Sequence, residues 1–271
     1  TMYEDYLHYV LNGHLLRPVH VQQFTKSYLK NMDGVIAPSQ RVAALLARYG
    51  VEIPMRVIPT GVDLDAISGP EKADLREKLG IAPDAQVIIT LGRVAAEKKI
   101  DRILRVMPDL LTEFPKLVFV IAGDGPDADV LKEQVERLTL EDHVIFAGNI
   151  PHDQVASYYK MADFFVSASD TETQGLTYIE ALGSGRKCVV YKTDYTDQVF
   201  NDPAYGLTFE SLRQMKEEIA AYLRQGRQEI PPQLLAKKLE EISASHFASE
   251  VCKFYQYAID NYQVKKEDSN D

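Results

Sequence analysis

Short β-branched runs alternate with stretches of helical period along most of the chain. The apolar runs fall at 34–37, 57–58, 87–91, 117–122, 144–147, 164–167, 188–191 and 207–209, each bounded by turn residues. Between them, apolar positions recur at helical spacing and predict helices over 19–31, 39–48, 71–79, 98–113, 127–138, 152–160, 175–184 and 211–224. Strand and helix in strict alternation predict an α/β fold, a doubly wound parallel sheet with helices on both faces. The runs 87–91 and 118–122 are apolar without alternation, as strands covered on both faces are. A final stretch, 247–262, reads as a helix rich in aromatics (Phe247, Phe254, Tyr255, Tyr257, Tyr262) that is expected to pack back on the N-terminal piece.

Pro54, Pro59 and Gly61 interrupt the pattern and mark a boundary between residue 53 and Asp63. The two helices and one strand before it are too little for a self-contained core. The six strands after it suffice for one doubly wound unit. Charge changes at the same place. Residues 1–56 carry a formal +2, and the whole chain of 271 residues carries −10. Such asymmetry points to two regions with different jobs, although a segment this short reaches it by chance about as readily.

With 45% hydrophobic and 26% charged residues, the chain is neither disordered nor fibrous. Cys188 and Cys252 match no metal or redox spacing, which fits a reducing, cytoplasmic compartment. The acidic balance argues against nucleic acid as a main partner. No apolar run approaches the roughly 20 residues that a bilayer requires, and no signal peptide is evident. A chain opening on Thr1 is expected to be a cut through a longer protein. His8, His14 and His20 are six apart and would point away from one another on a helix; with His143, His152 and His246 they read as structural or surface residues.

In a doubly wound sheet ligands bind beyond the carboxyl ends of the strands. Gly92 and Arg93 follow the 87–91 run, and Glu97, Lys98 and Lys99 open the next helix. Cations at a helix N-terminus oppose its dipole, and a bound phosphate resolves the conflict at Arg93 and Lys98. Lys99, Arg102 and Arg105 are accounted for by a solvated helix face. Gly123-Asp124-Gly125-Pro126 is a tight turn that either admits a ligand backbone-close or is only a turn. There is no complete GxGxxG, P-loop, HExxH or GxSxG.

The strongest signal follows the 164–167 run. Gly175 opens a helix directly after a polar loop, and the free N–H groups of Gly175, Leu176 and Thr177 are placed to hold a diphosphate. Glu172 precedes that helix, and Glu180 lies roughly 8 Å along it from Gly175. Carboxylates accept paired hydrogen bonds from vicinal hydroxyls, so one suits a sugar and the other a ribose. On spacing alone, a capping Glu172 and a surface Glu180 are equally good readings.

The segment from Glu172 to Glu180, a Glu, seven residues and a Glu with Gly third after the first, resembles the family 4 retaining glycosyltransferases, which have the two-lobed GT-B architecture. Gly92-Arg93-Val94-Ala95-Ala96-Glu97-Lys98 is similar to that family's phosphate loop. Ile58-Pro59-Thr60-Gly61-Val62-Asp63 is similar to its interlobe segment, and Ala122-Gly123-Asp124-Gly125-Pro126 to its Gly-Pro turn. A finer similarity, at 174–181 and 1–6, is to bacterial 1,2-diacylglycerol 3-glucosyltransferases and other glycolipid-making relatives. In that group a His usually stands just before the residue that is Thr1 here.

The resemblance implies a Rossmann-like C-terminal lobe with a remnant of the N-terminal lobe. Residues 1–53 would be the acceptor-lobe remnant, 54–64 the interlobe linker, 65–245 the nucleotide-sugar domain and 246–271 a C-terminal helix and tail. It implies Glu172, Arg93 and Lys98 as catalytic residues. The donor set would be Gly92, Arg93, Lys98, Ile150, Glu172, Gln174, Gly175, Leu176, Thr177 and Glu180, with Arg93 and Lys98 on the diphosphate, Glu172 on the sugar, Glu180 on the ribose and the base near Gly148-Asn149-Ile150. The implied reaction moves a hexose, with retention, from a nucleotide sugar such as UDP-glucose to a lipid such as diacylglycerol. It needs no cofactor or metal, and it takes place in the cytoplasm, in peripheral contact with the inner face of the membrane. Asp63-Leu64-Asp65 and Asp127-Ala128-Asp129 look like metal-binding DxD motifs, but their contexts are an interlobe segment and a helix start. Ala181-Leu182-Gly183-Ser184-Gly185 departs slightly from the family's pattern. Two other readings remain: a nucleotide-sugar epimerase of similar fold, and a non-catalytic partner subunit that keeps the fold. The fragment alone is expected to bind a nucleotide sugar and to transfer little.

Overall fold

The computed structural model describes residues 17–68, 74–172 and 174–268, with side chains to Tyr262. The Thr1–Tyr6 motif, His8, His14 and the first residues of the helix expected at 71–79 lie outside the described residues. In chain order the elements are α1 (Pro18–Leu29), β1 (Val35–Ala37), α2 (Gln40–Arg48), β2 (Met55–Val57), α3 (Leu64–Ser68), α4 (Leu75–Lys78), β3 (Gln86–Leu91), α5 (Ile100–Glu113), β4 (Leu117–Ala122), α6 (Ala128–Arg137), β5 (Val144–Gly148), α7 (Val155–Met161), β6 (Phe164–Ser167), α8 (Leu176–Gly183), β7 (Cys188–Tyr191), α9 (Asp194–Val199), β8 (Gly206–Phe209), α10 (Leu212–Gln225), α11 (Pro232–Ile242) and α12 (Ala244–Asp268). They fall into two compact units, residues through Gly61 with those from Ile242, and Val62–Glu241.

In the smaller unit β1 and β2 pair in parallel, Val35 opposite Met55 and Ala37 opposite Val57. α2 starts where the Ser39 hydroxyl accepts from the Val42 N–H at 3.4 Å, and it packs through Leu45 and Tyr49. The aromatic C-terminal helix joins this unit. Phe254 is buried, with its ring edge 2.7 Å from where a Cβ on Gly34 would stand, and Arg56 pairs with Glu250 at 3.6 Å.

The larger unit is built on a six-stranded sheet in the order β5-β4-β3-β6-β7-β8, and every neighbouring pair is parallel. The strands are apolar on both faces because each face is covered. Ile88, Phe119, Ile121, Val166 and Val189 pack on one side beneath α5, α6 and α10. Their sequence neighbours Val87, Ile89, Val120, Phe165 and Val190 pack on the other side, with α4, α7 and α8. Alternate residues of one strand thus serve two cores. The chain winds outward from β3 in one direction and from β6 in the other, so the carboxyl ends of these two neighbours bound the switch-point crevice.

Three helices were not expected from the apolar pattern. α3 is nucleated by Asp63, whose Oδ1 accepts from the N–H groups of Asp65 at 3.0 Å and Ala66 at 3.3 Å. α9 is opened by a reciprocal Thr193–Thr196 capping box. α11 has Pro232 as its first residue. The first two announce themselves by caps more than by period, whereas α11 carries Leu235, Leu239 and Ile242 at helical spacing.

Candidate functional site

Strand β3 ends at Leu91, and the chain turns sharply through Gly92 and Arg93. This turn lies against the one that follows β4. The Gly92 N–H donates to the Ala122 carbonyl at 2.9 Å, the Val94 N–H to the Asp124 carbonyl at 2.9 Å, and the Asp127 N–H to the Val94 carbonyl at 3.2 Å. Gly123, at φ +135°, allows this approach, because a Cβ there would collide with the Gly92 carbonyl. The Gly-Pro turn therefore acts by holding the Gly92–Val94 loop in place.

After Ala95 a single 3₁₀ turn, Ala96–Lys98, precedes α5. This turn and the first turn of α5 are tied to the loop after β6 at three points. The Ser169 hydroxyl donates to the Glu97 carbonyl at 2.9 Å, Arg102 reaches Asp170 at 3.5 Å, and Lys98 Nζ forms an ion pair with Glu172 Oε1. One small cavity is lined by Thr90, Gly92, Arg93, Lys98, Ser167, Glu172 and Thr177 among others, at the crevice between the ends of β3 and β6.

The start of α8 is fixed by a buried aromatic cluster. The Tyr178 hydroxyl shares a 3.0 Å hydrogen bond with Ser167, and its ring lies 5.7 Å from Phe165, 6.4 Å from Tyr195 and 6.2 Å from Phe200. The Tyr195 hydroxyl donates to the Gln174 carbonyl. Gly175 caps the helix in the left-handed conformation, at φ +53°, and a Cβ on it would stand 2.5 Å from Tyr195 Cε1. Only glycine meets both conditions. The first N–H groups of α8 have no acceptors within the helix, which leaves them available to an anion.

Glu180 lies one turn further along. The Tyr159 hydroxyl donates both to Glu180 Oε2 at 3.2 Å and to the Thr177 carbonyl at 3.0 Å. Burial raises the Glu180 carboxyl above its ordinary range, against the lowering effects of the Tyr159 hydrogen bond and of nearby His152. Burial also pushes the Tyr159 and Tyr178 hydroxyls well up, so both remain donors at neutral pH.

The structure therefore gathers Gly92, Arg93, Lys98, Glu172 and Thr177 around one cavity. Gln174 and Gly175 lead into the helix start, and Leu176 stands partly exposed on its first turn. Glu180 is linked to the cavity wall through Tyr159 and Thr177 but does not itself line the cavity. Ile150 packs at the edge of the core that holds Tyr159 and Tyr178. Tyr159, Tyr195 and Ser169 were not singled out from the sequence, because their roles depend on partners 18 to 72 residues away. His152, read as a surface residue, is exposed but close enough to act on Glu180. Asp63 is engaged as a helix cap, and Asp129 pairs with Lys132 at 2.9 Å. Among the described residues no cluster of three or more His, Cys, Asp or Glu is arranged to hold a metal, and no helix is long and apolar enough to cross a membrane.

The family model described as glycosyl transferases group 1 matches residues 71–238, and that described as glycosyltransferase family 4 matches residues 1–66. The chain belongs to the group 1 glycosyltransferases. This glycosyltransferase chain is 39% identical, over its whole length, to 62% of the alpha-monoglucosyldiacylglycerol synthase of Streptococcus pneumoniae. It is 31% identical, over 93% of its length, to 65% of the enzyme of the same name from Acholeplasma laidlawii. It thus spans a little under two thirds of these relatives. Sucrose-phosphate synthase from Thermosynechococcus elongatus superposes with a TM-score of 0.80 at 21% identity, covering 96% of this chain and 67% of that one. Anabaena HepE in complex with UDP and glucose superposes at 0.78 and 18% identity, covering 89% and 69%. The larger sheet is the Rossmann-like lobe of a GT-B fold, accompanied by a small two-stranded parallel sheet.

Proposed function

We propose that this glycosyltransferase chain carries the nucleotide-sugar half of an enzyme that moves glucose from UDP-glucose to a diacylglycerol-type lipid, with retention at the anomeric carbon. The observation that carries this reading is the meeting of Arg93, Lys98, Glu172 and the start of α8 at the switch-point cavity. The names of the pneumococcal and Acholeplasma relatives support the lipid acceptor, and the UDP and glucose bound to HepE support the donor. Contact with the cytoplasmic face of a membrane follows from that acceptor.

In this reading Arg93, Lys98 and the N–H groups of Gly175, Leu176 and Thr177 bind the diphosphate. Gly92 lets the phosphate approach the backbone. Gln174, held by Tyr195, sets the loop, and Glu172 accepts hydrogen bonds from the sugar hydroxyls. Glu180 accepts from the ribose, and the base lies near Ile150. The bond between the anomeric carbon and the diphosphate oxygen breaks, and a bond to the acceptor oxygen forms on the same face. The acceptor proton passes to the departing phosphate oxygen. Negative charge grows on that diphosphate, and fixed cations and helix N–H groups stabilise it without reorganisation, each contributing about 3 kcal/mol.

Thermal melting tests the donor assignment. UDP-glucose should raise Tm by mass action on the folded state, and GDP-mannose at equal concentration should raise it less. An equal shift with both nucleotides, or none with either, would remove the UDP-sugar assignment. Transfer of labelled glucose to diacylglycerol, by this chain joined to the remaining third of its relatives' length, tests the acceptor.

A further inference from the structure

A second concavity lies between α5 and α6 and shares only Ile100 with the lining of the first. It is a groove of about 530 Å³ walled by Lys99, Arg102, Arg105 and Arg137, with Asp101 and Asp127 as its acids. We propose that this groove is a second anion site, which takes a phosphate-bearing group independently of the nucleotide-sugar cavity.

Two features favour an anion in the groove. Lys99, Arg102 and Arg105 follow one another at i, i+3 on one helix face, so like charges are stacked where they repel. They occupy the first turns of a 14-residue helix, whose dipole favours anions there. Lys99 also adopts φ +52°, ψ +35°, a left-handed conformation that an L residue with a long side chain rarely takes. Glycine would fit that backbone without strain, and what the lysine adds is an ammonium on the groove. Arg137 comes from the far end of α6, so the charge is gathered from two helices.

The carboxylates present do not neutralise the site. Asp101 holds Arg105 at 2.9 Å, and Asp170 holds Arg102 at 3.5 Å. Both are partly exposed pairs; Arg102 also lies over the Tyr191 ring at 5.9 Å, so Arg105 is the one of the two that an incoming phosphate displaces cheaply. Lys99 and Arg137 have no carboxylate partner among the described residues. Four cations against three acids, Asp101, Asp127 and Asp170, leave a positive excess in a chain of net charge −10, a local charge of the sign opposite to that of the whole molecule.

The test is calorimetric titration of inorganic phosphate into the chain already saturated with UDP, so that the first cavity is occupied. Binding is expected to persist, and the Lys99→Gly/Arg137→Gln double variant should weaken it by about tenfold or more, with UDP affinity unchanged. Lys99→Gly removes the left-handed strain and should melt no lower than the parent chain, so lost phosphate binding cannot be put down to misfolding. Arg137→Gln alone gives a second, surface-only variant. Absence of phosphate binding in the presence of UDP, or equal binding by the parent and the double variant, overturns the proposal. A cosedimentation arm separates the sources of the phosphate. Vesicles of phosphatidylglycerol in phosphatidylcholine that sediment the parent chain but not the double variant identify a lipid head group. Equal sedimentation of both proteins, alongside a loss of free-phosphate binding in the variant, identifies a soluble phosphate.

Discussion

Lys98 and Glu172 face each other across the switch-point cavity as an ion pair, with their side chains only 25% and 14% exposed. They come from different βα loops, 74 residues apart, so the pair also fastens the turn before α5 to the loop before α8. A diphosphate entering this cavity must compete with Glu172 for the ammonium. A sugar attached to the diphosphate would offer Glu172 hydroxyl groups in exchange. The two sides of the pair should therefore respond in opposite directions when each is removed.

Lys98→Ala removes a charge-assisted contact and strands a largely buried carboxylate. UDP affinity should fall by about 30-fold, and turnover of the assembled enzyme about a hundredfold. Calorimetry and a transfer assay read these separately. An unchanged UDP affinity would remove Lys98 from the site.

Glu172→Gln keeps the shape but removes the competing charge. UDP, which has no sugar, should bind about threefold tighter, whereas sugar transfer should fall. A parallel loss of both would mean that Glu172 serves the loop's structure instead of the sugar.

Glu180 supplies a pH signature. Its carboxyl is raised above the ordinary range by burial, so the folded chain holds that proton more tightly than the unfolded chain does. Between the ordinary carboxylate range and the raised value the folded state binds more protons, and this group's contribution makes stability fall as pH rises through that window. Above that window the Glu180 carboxyl is thus a cost. Glu180→Gln, which still offers Tyr159 an acceptor, should melt higher than the parent chain at pH 7, with the gain vanishing near pH 4. Each kcal/mol recovered corresponds to roughly 2–4 °C in a chain of this size. The same variant should weaken UDP if the carboxylate holds the ribose. Paired melts at the two pH values check the sign.

Gly123→Ala tests how the phosphate loop is held. The added methyl would collide with the Gly92 carbonyl, where backbone meets backbone and no flexible side chain can give way. A loss of about 3 kcal/mol in urea unfolding is expected, together with weaker UDP binding because Gly92 and Arg93 shift. A variant as stable as the parent would show that the two turns can separate without consequence.

Much of this was legible in the residues. The unbroken apolar runs at β3 and β4 announced strands covered on both faces, and Gly175 after a polar loop announced the helix start. What stayed hidden was of two kinds. α3 and α9 are short, and they rest on the caps Asp63 and Thr193, whose signal is a single residue; α11 does carry a helical period, Leu235, Leu239 and Ile242, and could have been expected from it. The supports of the site, Tyr159 under Glu180 and Tyr195 under Gln174, look like ordinary core aromatics until distant segments meet. Periodicity reports which face is buried, not which buried hydroxyl finds a carboxylate. Arg102 and Arg105, read as a solvated face, acquired a further meaning only when Arg137 was found opposite them.

The most direct test of the central claim is calorimetric titration of UDP into the parent chain and into Arg93→Ala and Lys98→Ala. A single site, weakened by about tenfold or more in each variant, is the result expected if both cations meet one diphosphate. Saturable UDP binding that neither substitution alters, or no UDP binding by a folded parent chain, would contradict it.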